Sequence, residues 1–158
     1  MELLRAMDTS ASALTAQRLR MEVAAANLAN AESTRTPEGG PYRRRVVRLG
    51  ERDPLPPRGE SWGRSLALAA GMPARAQAAG GGGGTRVLSI GEDGTPLRKE
   101  YRPGHPDADA SGYVLMPNVN PALEMVELIA ASRAYEASLA ALETTKSMVQ
   151  RTLDLGRR

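Results

Sequence analysis

Apolar positions near the C-terminus recur every seven residues at Leu128, Tyr135, Leu142 and Val149. A second series, Ser132, Leu139, Lys146 and Leu153, is offset from it by four. This pattern predicts a long helix over 120–155 with a seam for lengthwise packing against other helices. Asn120 is a good N-cap, and Pro121 suits the first helical position, where an N–H would have no helical partner. Glu124 and Glu127 lie near the positive end of the helix dipole, and Arg157 and Arg158 follow its negative end. At 1.5 Å per residue the helix is about 50 Å long, more than a small domain is wide. Part of it must lean on something outside a compact core.

Residues 2–30 predict a second helix, with Met7, Leu14, Met21 and Leu28 at strict seven-residue spacing, flanked by Leu4, Ala11 and Ala25. Arg18 interrupts the flanking series and has to snorkel or pair. Ala24, Ala25, Ala26 and Ala29 make the end of this helix thin enough for a partner to approach closely. Asn27 and Asn30 bracket that end and predict a stop near Asn30 or Ala31, since Asn closes helices readily. Between the helices, 32–119 predicts short strands and loops. Tyr42 to Leu49 is one strand; Thr85 to Ile90 pairs with Leu97 to Tyr101 across a Gly91–Gly94 turn, and Gly112 to Met116 is a last strand. Residues 51–84, with Pro54, Pro56, Pro57 and the Gly80–Gly84 run, predict a flexible excursion, with a helical turn at Leu66 to Ala70. The expected fold is therefore α+β. Terminal helices over 1–31 and 120–158 pack antiparallel as a coiled-coil-like pair around a small β-rich middle region.

Composition sharpens this picture. With no Phe, one Trp and four Tyr, Ala, Leu, Val and Met must do the burying, which favours close helix–helix packing over a deep core. The seams are weak, so an isolated pair is marginally ordered and gains stability between copies of itself. No Cys is present, which removes disulfides and thiolate chemistry. No run of eighteen apolar residues predicts a membrane span, and Met1 to Gln17 lacks the shape of a cleavable secretory signal.

Candidate chemistry resolves into look-alikes. Gly80–Gly84 is followed by Thr85-Arg86, not the Gly-Lys-Ser/Thr of a phosphate loop. His105, the only histidine, has no Cys or second His to share a metal. Asp107, Asp109 and Ser111 match the first half of a calcium loop, but Asn118 stands where the closing Glu belongs, so a carboxylate-stabilised turn is expected. Arg43, Arg44, Arg45 and Arg48 offer charge for an anionic polymer but no aromatic stacking platform, and a solvated strand edge accounts for them. No catalytic, cofactor-binding or metal-binding residue is assigned.

The same stretches resemble one family. Ser12-Ala-Leu-Thr-Ala-Gln17 and Val23-Ala-Ala-Ala-Asn-Leu-Ala-Asn30-Ala31 are similar to the N-terminal signature of bacterial flagellar rod and hook proteins. Pro41-Tyr42-Arg43, Gly112-Tyr-Val-Leu-Met-Pro-Asn-Val119, Ala131-Ser-Arg-Ala-Tyr135-Glu-Ala and Lys146-Ser-Met resemble its proximal rod members. The resemblance covers about 1–45 and 95–156, with His105 where the family usually has Asn and Asp107 where an apolar residue is common. It implies a structural subunit of the proximal rod of the flagellar basal body, in the periplasm, helping transmit torque. It also implies export by the flagellar type III apparatus without a cleaved signal. The implied partners are further copies of the chain, FlgB, FlgF, FlgG and FliE. The expected assembly contacts are Leu14, Met21 and Leu28 on the first helix and Leu128, Tyr135, Leu139, Leu142 and Val149 on the last. Asn27, Asn30, Asn120 and Pro121 are the expected hinge and cap residues. Two rival expectations are a binder of anionic polymer through Arg43–Arg48 and an enzyme using Asp107 and Asp109.

Overall fold

The computed structural model describes residues 2–52 and 83–156. A helix α1 (Glu2–Ala29) leads to strands β1 (Arg45–Glu51), β2 (Thr85–Glu92), β3 (Arg98–Tyr101) and β4 (Tyr113–Met116), and a helix α2 (Pro121–Gly156) follows. The Leu66–Ala70 turn and most of the expected excursion lie outside the described residues. The described residues form an α+β arrangement of two antiparallel helices and two small sheets. Contacts from Asn27 to Glu124 and from Arg20 to Glu127 place the end of α1 against the start of α2. At 1.5 Å per residue α2 is about 54 Å long and α1 about 42 Å, so α2 overhangs its partner by about two turns.

The intramolecular seam differs from the expected one on both helices. On α2 the covered line runs Glu124, Leu128, Ala131, Tyr135, Ser138, Leu142, Thr145 and Val149. The seven-residue series through Leu128 is therefore on the seam, but its companion is offset by three and built from Ala, Ser and Thr. Of the expected companion series only Ser132 is half-buried, while Leu139, Lys146 and Leu153 are exposed. On α1 the buried positions are Ala16, Ala24 and Asn27, whereas Met7, Leu14, Met21 and Leu28 are only half-buried. Small side chains let the helix axes approach, and on α1 the larger ones stand beside the buried line. Arg18 pairs with Glu22 one turn along, in solvent.

The sheets also pair differently from the expected hairpin. β2 pairs antiparallel with β1, Arg45 opposite Glu92 and Glu51 opposite Thr85, with an irregularity between Arg48 and Leu49. β3 pairs instead with β4, from Arg98 opposite Met116 to Tyr101 opposite Tyr113. The stretch after β2 does not turn back because it is fastened elsewhere. Asp93 N donates to Arg44 O at 2.7 Å, and Asn118 Nδ2 donates to the carbonyls of Asp93 and Thr95. Those bonds hold the turn against the segment before α2, so β3 leaves toward β4. Gly112 closes the β3–β4 loop at φ +79°, where a Cβ would press on the Tyr101 ring at 2.8 Å. The core is small: Val114, Met116, Pro117 and Val119 beside Ala16, Ala24, Ala31 and Ala131.

Candidate assembly interface and the polar hub beside it

Two polar side chains are buried where the helices meet the strands, Asn27 and Glu124. Asn27 uses its whole hydrogen-bonding capacity. Its Oδ1 accepts from Tyr42 Oη and Arg45 N, both at 2.9 Å, and its Nδ2 donates to Arg45 O at 2.8 Å and Glu124 Oε2 at 2.9 Å. The amide thus pairs with Arg45 as a neighbouring strand would, and joins α1 to β1. Glu124, only 2% exposed, receives Arg44 Nε on Oε1 at 2.6 Å. Arg44 also reaches Asp93 Oδ2 at 3.3 Å, and its backbone N–H donates to Asn118 Oδ1 at 2.8 Å.

A buried carboxylate is tolerated only when paired and hydrogen-bonded, and Glu124 is both. The Glu124 hydrogen bond raises the pKa of the Arg44 guanidinium, with burial opposing. Asp93 is held below the usual carboxylate range, first by the Thr95 hydroxyl and then by Thr95 N–H. Burial raises Tyr42. Sequence reading placed Glu124 only on the helix dipole and missed this role. An acid in the first turn of an otherwise apolar stretch, three residues before Glu127, carries no sign that a strand will bring it a guanidinium.

The expected cap residues have local roles of their own. Asn120 Oδ1 accepts from Ala122 N at 3.1 Å, ahead of Pro121 at the first position of α2. Asn30 Nδ2 donates to Ala26 O at 2.9 Å at the end of α1, and Asn30 O accepts from Ser33 N.

The expected contact residues fall in two groups. Leu128, Tyr135, Leu142 and Val149 are half-covered by α1. Leu14, Met21 and Leu28 lie about 120–160° around α1 from Ala16, away from the strands that Ser12 and Asn27 meet. Leu139 is exposed. Toward the start of α2 lies apolar surface that the heptad pattern did not single out: Leu123, Met125, Val126 and Ile129 are 49–62% exposed, and Met148, Leu153 and Leu155 are exposed near the far end. A solvent-facing helix is normally polar there, and a helix apolar on all sides is a buried one.

The look-alikes are tied down locally. Asp109 Oδ1 accepts from Ser111 N and Tyr113 N, closing a turn. Asp107 takes Thr34 Oγ1 at 2.9 Å and pairs with Arg35 at 2.8 Å beside a shallow cleft of about 440 Å³. Of the four arginines, Arg44 is neutralised internally, and Arg45 lies 6.0 Å from the Tyr42 ring centre. Among the described residues no group of three or more His, Cys, Asp or Glu could hold a metal ion, and no helix is long and apolar enough to cross a membrane.

Comparison with known proteins agrees with this layout. Residues 7–35 match the family described as flagella basal body rod protein, and residues 110–155 match the flagellar basal body rod FlgEFG protein C-terminal family. The flagellar basal-body rod protein FlgC of Bacillus subtilis is 42% identical over 155 residues, covering 96% of each chain. FlgC of Salmonella typhimurium is 42% identical over 156 residues, covering 99% of each, and that of Borreliella burgdorferi 41% over 160, covering 97%. The matched stretches hold both helices and the hub residues Asn27, Asn118 and Glu124. On identity that runs nearly end to end, the chain belongs to the FlgC family of flagellar basal-body rod proteins, structural subunits of the rod and not enzymes.

Proposed function

We propose that this rod subunit assembles through the flank of its helix pair that faces away from β1–β2. Both helices are right-handed and run antiparallel, so residues just past the seam in helical angle fall on the same side of the pair. Leu14, Met21 and Leu28 of α1 therefore share a side with Met125, Ile129 and Leu139 of α2. The single observation that carries the reading is the apolar, exposed start of α2 at Met125, Val126 and Ile129. A neighbouring helix laid along that flank would complete a three-helix layer. At about 25 cal/mol per Å², covering 1,000 Å² of apolar surface would give roughly 25 kcal/mol gross, much of it offset by ordering.

The family resemblance supports the finer assignments: a proximal position in the periplasmic rod, torque transmission, and export by the flagellar type III apparatus without cleavage. Its neighbours would be further copies of the chain, FlgB, FlgF, FlgG and FliE. The helical segments 1–31 and 120–158 would form the rod core, with 32–119 outside it. Leu128, Tyr135, Leu142 and Val149 would act indirectly, by holding α2 against α1.

Ile129→Asp combined with Leu139→Asp tests the reading in a motile bacterium whose own copy is deleted. The soluble protein should accumulate and keep its helical signal, while basal bodies lack it and swimming is lost. Normal incorporation of the double variant would overturn the proposal.

A further inference from the structure

We propose that a second copy of this chain adds its β2 edge to the open edge of β4, so that one sheet, β1–β2 of one copy and β4–β3 of the next, runs between adjacent copies. Both edges are open over a short stretch. Tyr113 turns its N–H and C=O away from β3, to Asp109 Oδ1 at 2.9 Å and Asp109 N at 2.8 Å. Leu115, two residues on in the same ladder, turns its own the same way. On the other sheet, Arg45 turns its N–H and C=O outward to Asn27. Glu92 opposite it, and Ile90 two residues back, therefore face out from the far side of β2. Among the described residues no hydrogen bond reaches the outward backbone of Leu115, Ile90 or Glu92.

An open edge invites any strand, and charge decides which one comes. Lys99 stands opposite Leu115 on β3 and, although one strand away, lines the cleft of about 440 Å³ between β4 and the 34–41 loop. Lys99 and Glu92 are both exposed, and neither forms an ion pair among the described residues. Their neighbours are already paired, Arg35 with Asp107, and Arg98 and Arg102 with Glu100. Two β4 edges brought together set Lys99 against Lys99, and two β2 edges set Glu92 against Glu92. Only β2 against β4 sets acid against base. Tyr113 is already bonded and Pro117 has no N–H, which fixes Leu115 as the point of exchange. With Glu92 opposite Leu115, strands about 4.8 Å apart put the carboxylate and the ammonium on one face, on either side of Leu115. The two edges are different surfaces, so the contact repeats along a filament instead of closing a dimer.

The inference rests on copies of the chain adjoining in the rod, and not on the helix flank. The chain has only the lysines Lys99 and Lys146, which makes amine chemistry selective. A carbodiimide, which joins amines to carboxylates in contact, tests the pairing on intact purified basal bodies. A two-copy band in which Lys99 is joined to Glu92 is expected. It should be lost in Lys99→Arg, which keeps the charge and assembles. In a motile bacterium whose own copy is deleted, Lys99→Glu should lower incorporation about fivefold or more, and adding Glu92→Lys should restore it. Basal bodies that hold the chain without a join of Lys99 to Glu92 between copies overturn the inference and leave the helix-flank reading standing. So does a charge-reversed double variant that incorporates no better than Lys99→Glu alone.

Discussion

A single side chain illustrates how much of this protein rests on hydrogen-bond satisfaction and how little on bulk. Asn27 is 1% exposed and fully bonded, and one of its partners is the Tyr42 hydroxyl. That bond requires Tyr42 to keep its proton. Burial is the main cause that raises its pKa above the ordinary 10.0, with Arg45 opposing and Glu124 and Glu92 assisting. A group whose folded pKa is raised contributes stability that is full below the unfolded value and is lost as pH climbs through the folded one. Tyr42→Phe should cost about 1 kcal/mol at neutral pH. The difference between the two proteins in denaturant unfolding should hold steady up to about pH 10 and shrink only above it. A difference that fades below pH 9 or so would contradict this assignment. The sequence showed Asn27 as a helix stop, a local property. Its pairing with the Arg45 backbone is long-range and left no local trace.

Among the elements, the helices were legible nearly to the residue, because period and caps act within one turn or two. The expected 120–155 became Pro121–Gly156, and 2–30 became Glu2–Ala29. Which line of each helix faces the other was less legible. Heptad reading favours the largest apolar residues; on α2 the series through Leu128 does lie on the seam beside Ala131, but on α1 Ala16 and Ala24 are buried while Leu14, Met21 and Leu28 are half-buried. Strand existence was readable from alternation, whereas partner choice was decided by Asn118 and Arg44 fastening the 93–95 turn. The seam makes its own prediction. Leu142→Asp, half-covered by α1, should lower unfolding free energy by about 1–2 kcal/mol, while Leu139→Asp should stay within about 0.5 kcal/mol. Chemical denaturation separates the two, and equal losses would show the seam is misplaced.

On the proposed function, the small described core and the exposed apolar flank of the whole molecule are those of a subunit completed by its neighbours. Its fastened end carries the hub and nearly all buried residues; its far end carries an overhanging helix. Three residues of the motifs that carry the family resemblance, Asn27, Tyr42 and Asn118, lie far apart in sequence and meet in that hub beside Glu124. What covers the flank was not readable, since an interface between chains has no partner within one sequence. The absence of Cys makes it directly testable, because a single introduced thiol is unique. Ile129→Cys should react readily with a maleimide in the soluble protein and be shielded in intact purified basal bodies. Equal labelling in both states would contradict the claim that this flank is covered in the rod.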